Sequence, residues 1–168
     1  MPLNLLKKYN QLLELAAYSP SQRTDSLKGV FCRDIENNRN FSFRTKPISP
    51  TPSDGEIKME TLFRHLTTVI TDESTNGREF DMNRAVRLHW IKHHIEEKKK
   101  DNILVFSTQE GRSKRTYIYD KDEKYVIVFE PLRNGQAYYL LTAYHVRGKD
   151  AGRDKFMQKY KRRLPEIL

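Results

Sequence analysis

The residue types best suited to chemistry stand together in the apolar segment YYLLTAYHVRG, which begins at Tyr138. If this segment is a strand, its side chains alternate between two faces, so that Tyr138, Leu140, Thr142 and Tyr144 share one face. The hydroxyl groups of Thr142 and Tyr144 can each donate to or accept from a phosphate oxygen. Arg115, on a nearby predicted strand, offers a planar and permanently charged donor fork for the same phosphate. These residues predict a phosphate-binding edge, although the same residue types are also ordinary components of a sheet.

Histidine titrates near neutral pH without help, so a general base is sought first among the five histidines of the chain. His65 lies in LFRHLTT, beside the apolar stripe of a predicted helix. His89 lies in RLHWIKHH, with Lys92 three residues further on, whereas His93 and His94 fit a solvated helix end. Histidines on helix surfaces also occur without a catalytic role, so His65 and His89 are both open candidates.

Metal or cofactor chemistry has little support in the sequence. His89 and His93 have the i, i+4 spacing of two ligands of one metal ion, but the intervening WIK lacks the glutamate of the zinc protease motif. No third ligand is evident, and no glycine-rich phosphate loop of the GxxxxGK[ST] or GxGxxG type occurs. The sequence therefore predicts neither a metal nor a cofactor.

The charge of the chain points to a polyanionic partner. Lys and Arg number 31 against 22 Asp and Glu, which gives a net charge of +9. Such an excess attracts polyanions over a long range, and basic side chains near the C-terminus either solvate a helix or guide an RNA backbone towards residues 142–147. Tyrosines nearby would let unpaired bases stack, which favours single-stranded or looped RNA over a DNA groove. The predicted RNA-binding residues are His89, Lys92, Tyr117, Arg147, Arg153, Lys159 and Arg162.

The cysteine content and the N-terminal segment indicate the cellular compartment in which the protein is expected. Cys32 is the single cysteine, which excludes an intramolecular disulfide and fits a reducing environment. Lys7 and Lys8 interrupt the apolar pattern of the N-terminus, so it resembles neither a signal peptide nor a membrane span. We expect no membrane association and a location in the cytoplasm, with the cytoplasm of a target or host cell as an open alternative.

Two segments are expected along the chain. In residues 1–55, apolar residues between Leu5 and Ala16 predict a helix that ends before Pro20, and residues 29–35 and 40–44 predict a hairpin. Three prolines make residues 45–55 the best candidate for a linker. We therefore expect an N-terminal extension over residues 1–55 and a separate domain over residues 56–168.

The second segment changes from helical to extended periodicity. A helix is predicted over residues 56–70, capped by Ser53 or Asp54, then a loop over residues 71–80 and a helix from Asp81 to about Lys98. Extended runs follow at residues 103–107, 115–120, 125–130 and 137–144, and a basic helix ends the chain over residues 150–168. Asn134-Gly135 is a hairpin dipeptide. The prediction is an α+β fold in which N-terminal helices pack on one face of an antiparallel meander of about four strands, followed by a basic C-terminal helix.

The combination of RHLTT, RAVRLHWIKHHI, ILVFS, RTYIYD, YVIVFE, YYLLTAYHV and KYKRRLPEI resembles a known family. Over roughly residues 57–168 the chain looks like the phage-type branch of the barnase, EndoU, colicin and RelE-like (BECR) superfamily of small ribonucleases, which are often toxins. The resemblance implies metal-independent RNA cleavage, on tRNA or another structured RNA, through attack of a ribose 2′-hydroxyl that leaves a 2′,3′-cyclic phosphate.

The resemblance implies a specific role for each candidate residue. It implies His65 as the base, Arg115 as the group that stabilises charge, and Thr142 and Tyr144 as hydroxyls that hold the phosphate, with Tyr144 also a possible acid. His89 with Lys92 is the reserve choice for the base. A toxic nuclease with a charge of +9 would need an acidic inhibitor or immunity protein as a partner. The alternative is a non-catalytic RNA-binding or partner-binding domain of a phage or mobile-element protein.

Overall fold

The helices of the protein are short. The computed structural model describes residues 3–52 and 58–168. Its α-helices are α1 (Pro20–Phe31), α2 (Met59–Thr67), α3 (Met82–Ala85), α4 (Trp90–Ile95), α5 (Lys149–Gly152) and α6 (Lys155–Lys161). A 3-10 turn covers Leu3–Leu6, and a π-helical turn, Cys32–Glu36, continues α1. Among these described elements, no helix has the length and apolar character needed to cross a membrane.

Helix α1 replaces two predicted elements. The helix predicted before Pro20 and the strand predicted over residues 29–35 are both wrong, because α1 begins after Ser19 and runs through Phe31. Gln22 N–H donates to Ser19 Oγ at 3.3 Å, and Ser19 N–H donates to Gln22 Oε1 at 2.9 Å. This reciprocal cap satisfies two amide groups, and proline at the first helical position already has the φ that a helix requires.

The strands form one large sheet and one hairpin. They are β1 (Ser42–Phe43), β2 (Lys46–Pro50), β3 (Thr68–Asp72), β4 (Gly77–Phe80), β5 (Ile103–Glu110), β6 (Ser113–Asp120), β7 (Tyr125–Pro131) and β8 (Tyr138–His145). The six-stranded sheet has the order β1-β2-β8-β7-β6-β5, and β3 and β4 form the hairpin. Strand β2 runs parallel to β8, whereas the other neighbours are antiparallel.

The predicted sheet is therefore wrong in its extent and its topology. The chain is α+β, but its sheet is mixed and has six strands rather than about four in an antiparallel meander. Part of the predicted linker is β2, because the extended backbone that prolines favour suits a strand as well as a linker. The predicted loop over residues 71–80 contains most of the β3–β4 hairpin. The predicted cap at Ser53 or Asp54 and the predicted boundary at residue 55 lie outside the described residues.

Both faces of the six-stranded sheet are covered. On one face, Ile127 and Phe129 belong to a core that also contains Val30 of α1, Leu66 of α2 and Ile91 of α4. On the other face, a second core of aromatic and aliphatic side chains surrounds the C-terminal helix α6; it consists of Phe106, Tyr117, Tyr119, Val126, Val128, Val146 and Phe156. The prediction that helices cover one face alone is wrong, because the apolar side of the basic C-terminal helix packs on the second face.

A β-bulge in β8 changes which residues share a face. Thr142 pairs with Val128 and Leu140 pairs with Phe129, so Leu141 is the extra residue. A bulge interrupts strict alternation. As a result Leu140 lies in the core beneath the N-terminal helices, whereas Tyr144 packs against the core around α6. The prediction that Tyr138, Leu140, Thr142 and Tyr144 share one face is wrong for this reason.

A buried carboxylate joins the N-terminal segment to the sheet. Asp120 is fully buried and accepts hydrogen bonds from Tyr9 Oη at 3.0 Å, from Lys99 Nζ at 2.8 Å and from the backbone amide of Asp122 at 3.0 Å. His94 Nε2 lies 2.9 Å from the same carboxylate. Burial raises the pKa of Asp120, but the hydrogen bonds from His94 and Lys99 outweigh it and hold the pKa well below its usual range.

We expect Asp120→Asn to lower the free energy of unfolding by about 1.5–3 kcal/mol, because the amide loses the charge-assisted hydrogen bonds. The lowered pKa means that this stabilisation is complete above the unfolded pKa of about 4 and is lost as the pH falls further towards the folded pKa. Urea denaturation at pH 7 and at lower pH measures both effects. The exposed neighbour Asp122 is the control, and an equal loss in Asp122→Asn would contradict the assignment.

Candidate functional site

A cleft with two guanidinium groups opens beside the bulge in β8. It has a volume of about 290 Å³. Its walls come from the end of α2, the β3–β4 hairpin, α3 and β8, through His65, Val69, Ile70, Arg78, Arg84, Leu141 and Thr142. We call it the cationic cleft.

Arg84 joins three of these elements. Asp81 caps α3 by accepting from the backbone amides of Asn83 at 2.9 Å and Arg84 at 3.3 Å, which orients the helix. Arg84 Nη1 then donates to the backbone oxygen of His65 at 2.9 Å and to Thr142 Oγ1 at 3.1 Å. The guanidinium lies 5.2 Å from the centroid of the Tyr144 ring. Helix α2 and strand β8 therefore meet through one side chain.

The helix predicted from Asp81 to about Lys98 is interrupted, and the interruption shapes the cleft. Asp81 is the cap as predicted, but α3 ends at Ala85 and α4 begins only at Trp90. The intervening residues form turns, and this break leaves α3 as a separate short helix that contacts α2 and β8.

Arg78 is held by the hairpin. It lies on β4 opposite Ile70, and its Nε and Nη2 donate to Thr68 Oγ1 at 2.7 Å and to Thr68 O at 2.8 Å. Within residues 3–52 and 58–168, neither Arg78 nor Arg84 has a carboxylate within 4.0 Å. Burial lowers the pKa of both groups, although arginine remains protonated in proteins. Two positive charges with no carboxylate in direct contact favour the binding of an anion in this cleft.

His65 is poised to accept a proton. Its side chain is half-buried, and its ring forms no hydrogen bond with a described residue. Burial, and then the charges of Arg78, Arg64 and Arg84, lower the pKa of His65 below its ordinary value. The lowered pKa favours the neutral imidazole, which has a nitrogen lone pair that can accept a proton.

The structure brings together two of the four predicted catalytic residues. His65 and Thr142 line the cationic cleft, and Tyr144 lies beside it beneath Arg84. Arg115 is elsewhere: it lies two strands from β8, with Nη1 3.7 Å from Glu130 Oε2. The position on β6 that is level with Tyr144 across the sheet is four residues away from Arg115, about 13 Å along the strand. Arg84 and Arg78 occupy the position that the sequence analysis assigned to Arg115.

Several predicted RNA-binding residues already have partners inside the protein. Tyr117 is buried and donates to Glu110 at 3.1 Å, and Lys159 Nζ lies 2.5 Å from the same carboxylate. His89 is also buried, with Nε2 3.0 Å from Lys8 O, and Lys92 lies 3.7 Å from Glu96. The side chains of Tyr117, His89 and Lys159 are therefore engaged inside the protein, whereas Lys92, in a weak surface ion pair, remains partly exposed to solvent.

The remaining predicted RNA-binding residues are on the surface. Arg153 and Arg162 are exposed, and neither lines the cationic cleft. Arg147 is exposed as well, 3.9 Å from Asp81, and lines a neighbouring cleft. Of the seven, Arg147 is thus the one that lies close to the candidate site.

Sequence reasoning missed Arg78 and Arg84, and one signal for Arg78 was present. Asn76-Gly77 is a hairpin dipeptide between VIT and REF, and Asn76 has a φ of 55°. Recognising that turn would have predicted the β3–β4 hairpin. No comparable signal marks Arg84, whose contacts depend on residues 19 and 58 positions away in the chain.

The described residues contain no group of three or more His, Cys, Asp or Glu side chains arranged to hold a metal ion. The groups at the cationic cleft that can take part in chemistry are the imidazole of His65, the guanidinium groups of Arg78 and Arg84 and the hydroxyl of Thr142. Comparison with protein-family models, curated proteins and solved structures gives no significant match for this chain.

Proposed function

We propose that the cationic cleft binds a phosphodiester of RNA and that His65 removes the proton of the adjacent ribose 2′-hydroxyl. The observation that supports this most directly is the meeting of a neutral imidazole and two guanidinium groups without carboxylate partners at one cleft. This combination suits an anionic substrate that must lose a proton. The protein would then be a metal-independent RNA endonuclease.

The proposed reaction uses the groups of the cleft in separate roles. As His65 accepts the proton, the 2′-oxygen forms a bond to phosphorus and the bond from phosphorus to the 5′-oxygen breaks, which gives a 2′,3′-cyclic phosphate. The departing 5′-oxygen takes a proton from solvent. Arg78 and Arg84 stabilise the negative charge that develops on the phosphoryl oxygens. Thr142 accepts from Arg84, so its own hydroxyl hydrogen can be donated to a phosphate oxygen.

The charge of the whole chain supports the same substrate. A net charge of +9 favours association with a polyanion, and this attraction weakens as salt is added. A 2′-hydroxyl is needed as the nucleophile, so the proposal specifies RNA and excludes DNA as a substrate.

The proposal is tested with single-stranded RNA and the purified protein in excess EDTA. We expect cleavage, with a 2′,3′-cyclic phosphate and a 5′-hydroxyl at the new ends. The control is the same oligonucleotide with 2′-O-methyl groups throughout, which lacks the nucleophile and should remain intact. RNA that is bound but never cleaved would overturn the proposal and support a non-catalytic RNA-binding protein.

The pH dependence of cleavage should follow the lowered pKa of His65. The base is active only when neutral, so kcat/KM should rise with pH and become level above the pKa of the free enzyme. Because that pKa lies below 6.5, we expect the midpoint of the rise below pH 6.5. The profile is obtained from initial rates measured between about pH 4.5 and about pH 8, at intervals of about half a pH unit. A midpoint above neutral pH would contradict His65 as the base.

A further inference from the structure

Exposed apolar side chains gather around the candidate site. Leu12 is 45% exposed, Ile70 50% and Met82 36%, and they come from three separate segments. Ile70 lines the cationic cleft, and Leu12 and Met82 line the cleft next to it. Large apolar groups exposed together beside a cleft indicate a binding surface, because their exposure to water is unfavourable.

The neighbouring cleft is lined by apolar and polar side chains. It has a volume of about 510 Å³. The apolar side chains are those of Leu12, Val69, Phe80, Met82 and Val86, and the polar ones are those of Glu79, Asp81, Asn83, Arg87 and Arg147. We call it the apolar cleft.

The apolar cleft is built from fixed elements. Leu13 N–H donates to Val86 O at 2.9 Å, which holds the N-terminal segment against α3. The guanidinium of Arg23 lies 4.2 Å from the centroid of the Phe80 ring. Met82 is the first residue of α3, the helix that Asp81 caps. The same short helix thus carries one wall of the apolar cleft and Arg84 of the cationic cleft.

The two clefts are adjacent. Val69 lines both, and its partner on the opposite strand of the hairpin, Glu79, lines the apolar cleft. A ligand whose anionic group occupies the cationic cleft can therefore place its next chemical group at the apolar cleft. Arg147, which also lines the apolar cleft, offers a positive charge for a second anionic group.

We infer that the apolar cleft binds the nucleobase next to the phosphate held in the cationic cleft, an inference that rests on the proposed function. A single-stranded RNA has the required alternation of anionic phosphates and flat apolar bases. Bases in single strands are free to pack against apolar side chains, whereas those in a duplex are stacked and paired. The substrate is therefore unpaired RNA.

Glu79 gives the apolar cleft a preference among bases. Its side chain is exposed and forms no hydrogen bond or ion pair with a described residue, and a carboxylate only accepts hydrogen bonds. Adenine, cytosine and guanine each carry an exocyclic amino group that can donate to it, whereas the single donor of uracil, N3–H, lies between two carbonyl oxygens that repel a carboxylate. The bound base is thus one with an amino group.

The experiment compares the cleavage of poly(A), poly(C) and poly(U) by the wild-type protein and by Glu79→Gln. We expect the wild type to have a kcat/KM about tenfold higher for poly(A) and poly(C) than for poly(U), and Glu79→Gln to reduce this ratio to about twofold. Glu73→Gln is the matched control, because Glu73 is exposed in the turn of the same hairpin and lines neither cleft. Met82→Ser should lower kcat/KM for all three polymers.

A binding measurement distinguishes a failure of this inference from a failure of the proposed function. Fluorescence anisotropy with 2′-O-methyl hexamers of A, C and U measures base preference without cleavage. If Glu79→Gln leaves the preference for A and C over U unchanged, both in cleavage and in binding, the base site is overturned even if the wild type cleaves RNA. Preferential binding of the A and C hexamers that Glu79→Gln removes supports the base site even if no RNA is cleaved.

Discussion

His65→Ala is expected to lower kcat for RNA cleavage by about 100- to 10,000-fold, the usual contribution of a positioned general base. The substitution should leave the cleft intact, because Arg84 is bonded to the backbone oxygen of His65 and not to its ring. Affinity for a 2′-O-methyl oligonucleotide should therefore change by no more than about threefold. Single-turnover kinetics and anisotropy measure the two quantities.

His93→Ala is the matched control for this variant. His93 is half-buried like His65, and burial also lowers its pKa, but its ring stacks on Tyr9 with 3.8 Å between centroids and lies outside the cationic cleft. Its removal should change kcat by no more than about twofold, as for substitutions away from a site. If His65→Ala retains the activity of His93→Ala, His65 is not the base.

Arg84→Lys should lower kcat by about 100-fold, which is the scale of losing one preorganised donor to a developing oxyanion. Lysine keeps the positive charge but lacks the planar fork that bonds to His65 O and Thr142 Oγ1 while facing the cleft. The effect should therefore appear in kcat more than in binding. Thermal unfolding, followed beside the kinetics, shows whether the variant is folded.

Arg115→Lys provides the matched control, since sequence reasoning assigned Arg115 the role that we propose for Arg84. Arg115 lies beside Glu130 on β6 and does not line the cationic cleft. Its substitution should alter kcat by no more than about twofold. Equal losses in Arg84→Lys and Arg115→Lys would mean that the cationic cleft is not where phosphate reacts.

Much of the C-terminal sheet was predictable because its signals are local. Alternation in RTYIYD and YVIVFE and the Asn134-Gly135 dipeptide indicate strands and a turn, and β6, β7 and β8 form there. The N-terminal half was not predictable in the same way. Apolar spacing between Leu5 and Ala16 suits a helix, but the segment is largely irregular: Leu5, Tyr9 and Leu13 join the core beneath the helices, whereas Leu12 is exposed.

The candidate site was predictable only in its residue types. The sequence by itself determined an excess of positive charge, a histidine beside an apolar helical stripe and a hydroxyl near the end of a strand, because these depend on composition and short-range periodicity. The sequence also indicated an arginine donor at the phosphate-binding edge, but sequence reasoning assigned Arg115 to that position.

Only the tertiary structure decided which arginine meets that histidine and hydroxyl. The bulge at Leu141 changes the face on which Thr142 lies, and the break after Ala85 leaves α3 free to bring Arg84 between α2 and β8. Both depend on the packing of segments far apart in the chain, where many weak contacts and the satisfaction of buried polar groups determine the outcome. Short-range patterns carry no information on such distances, so the chemistry could be read from the sequence and its location could not.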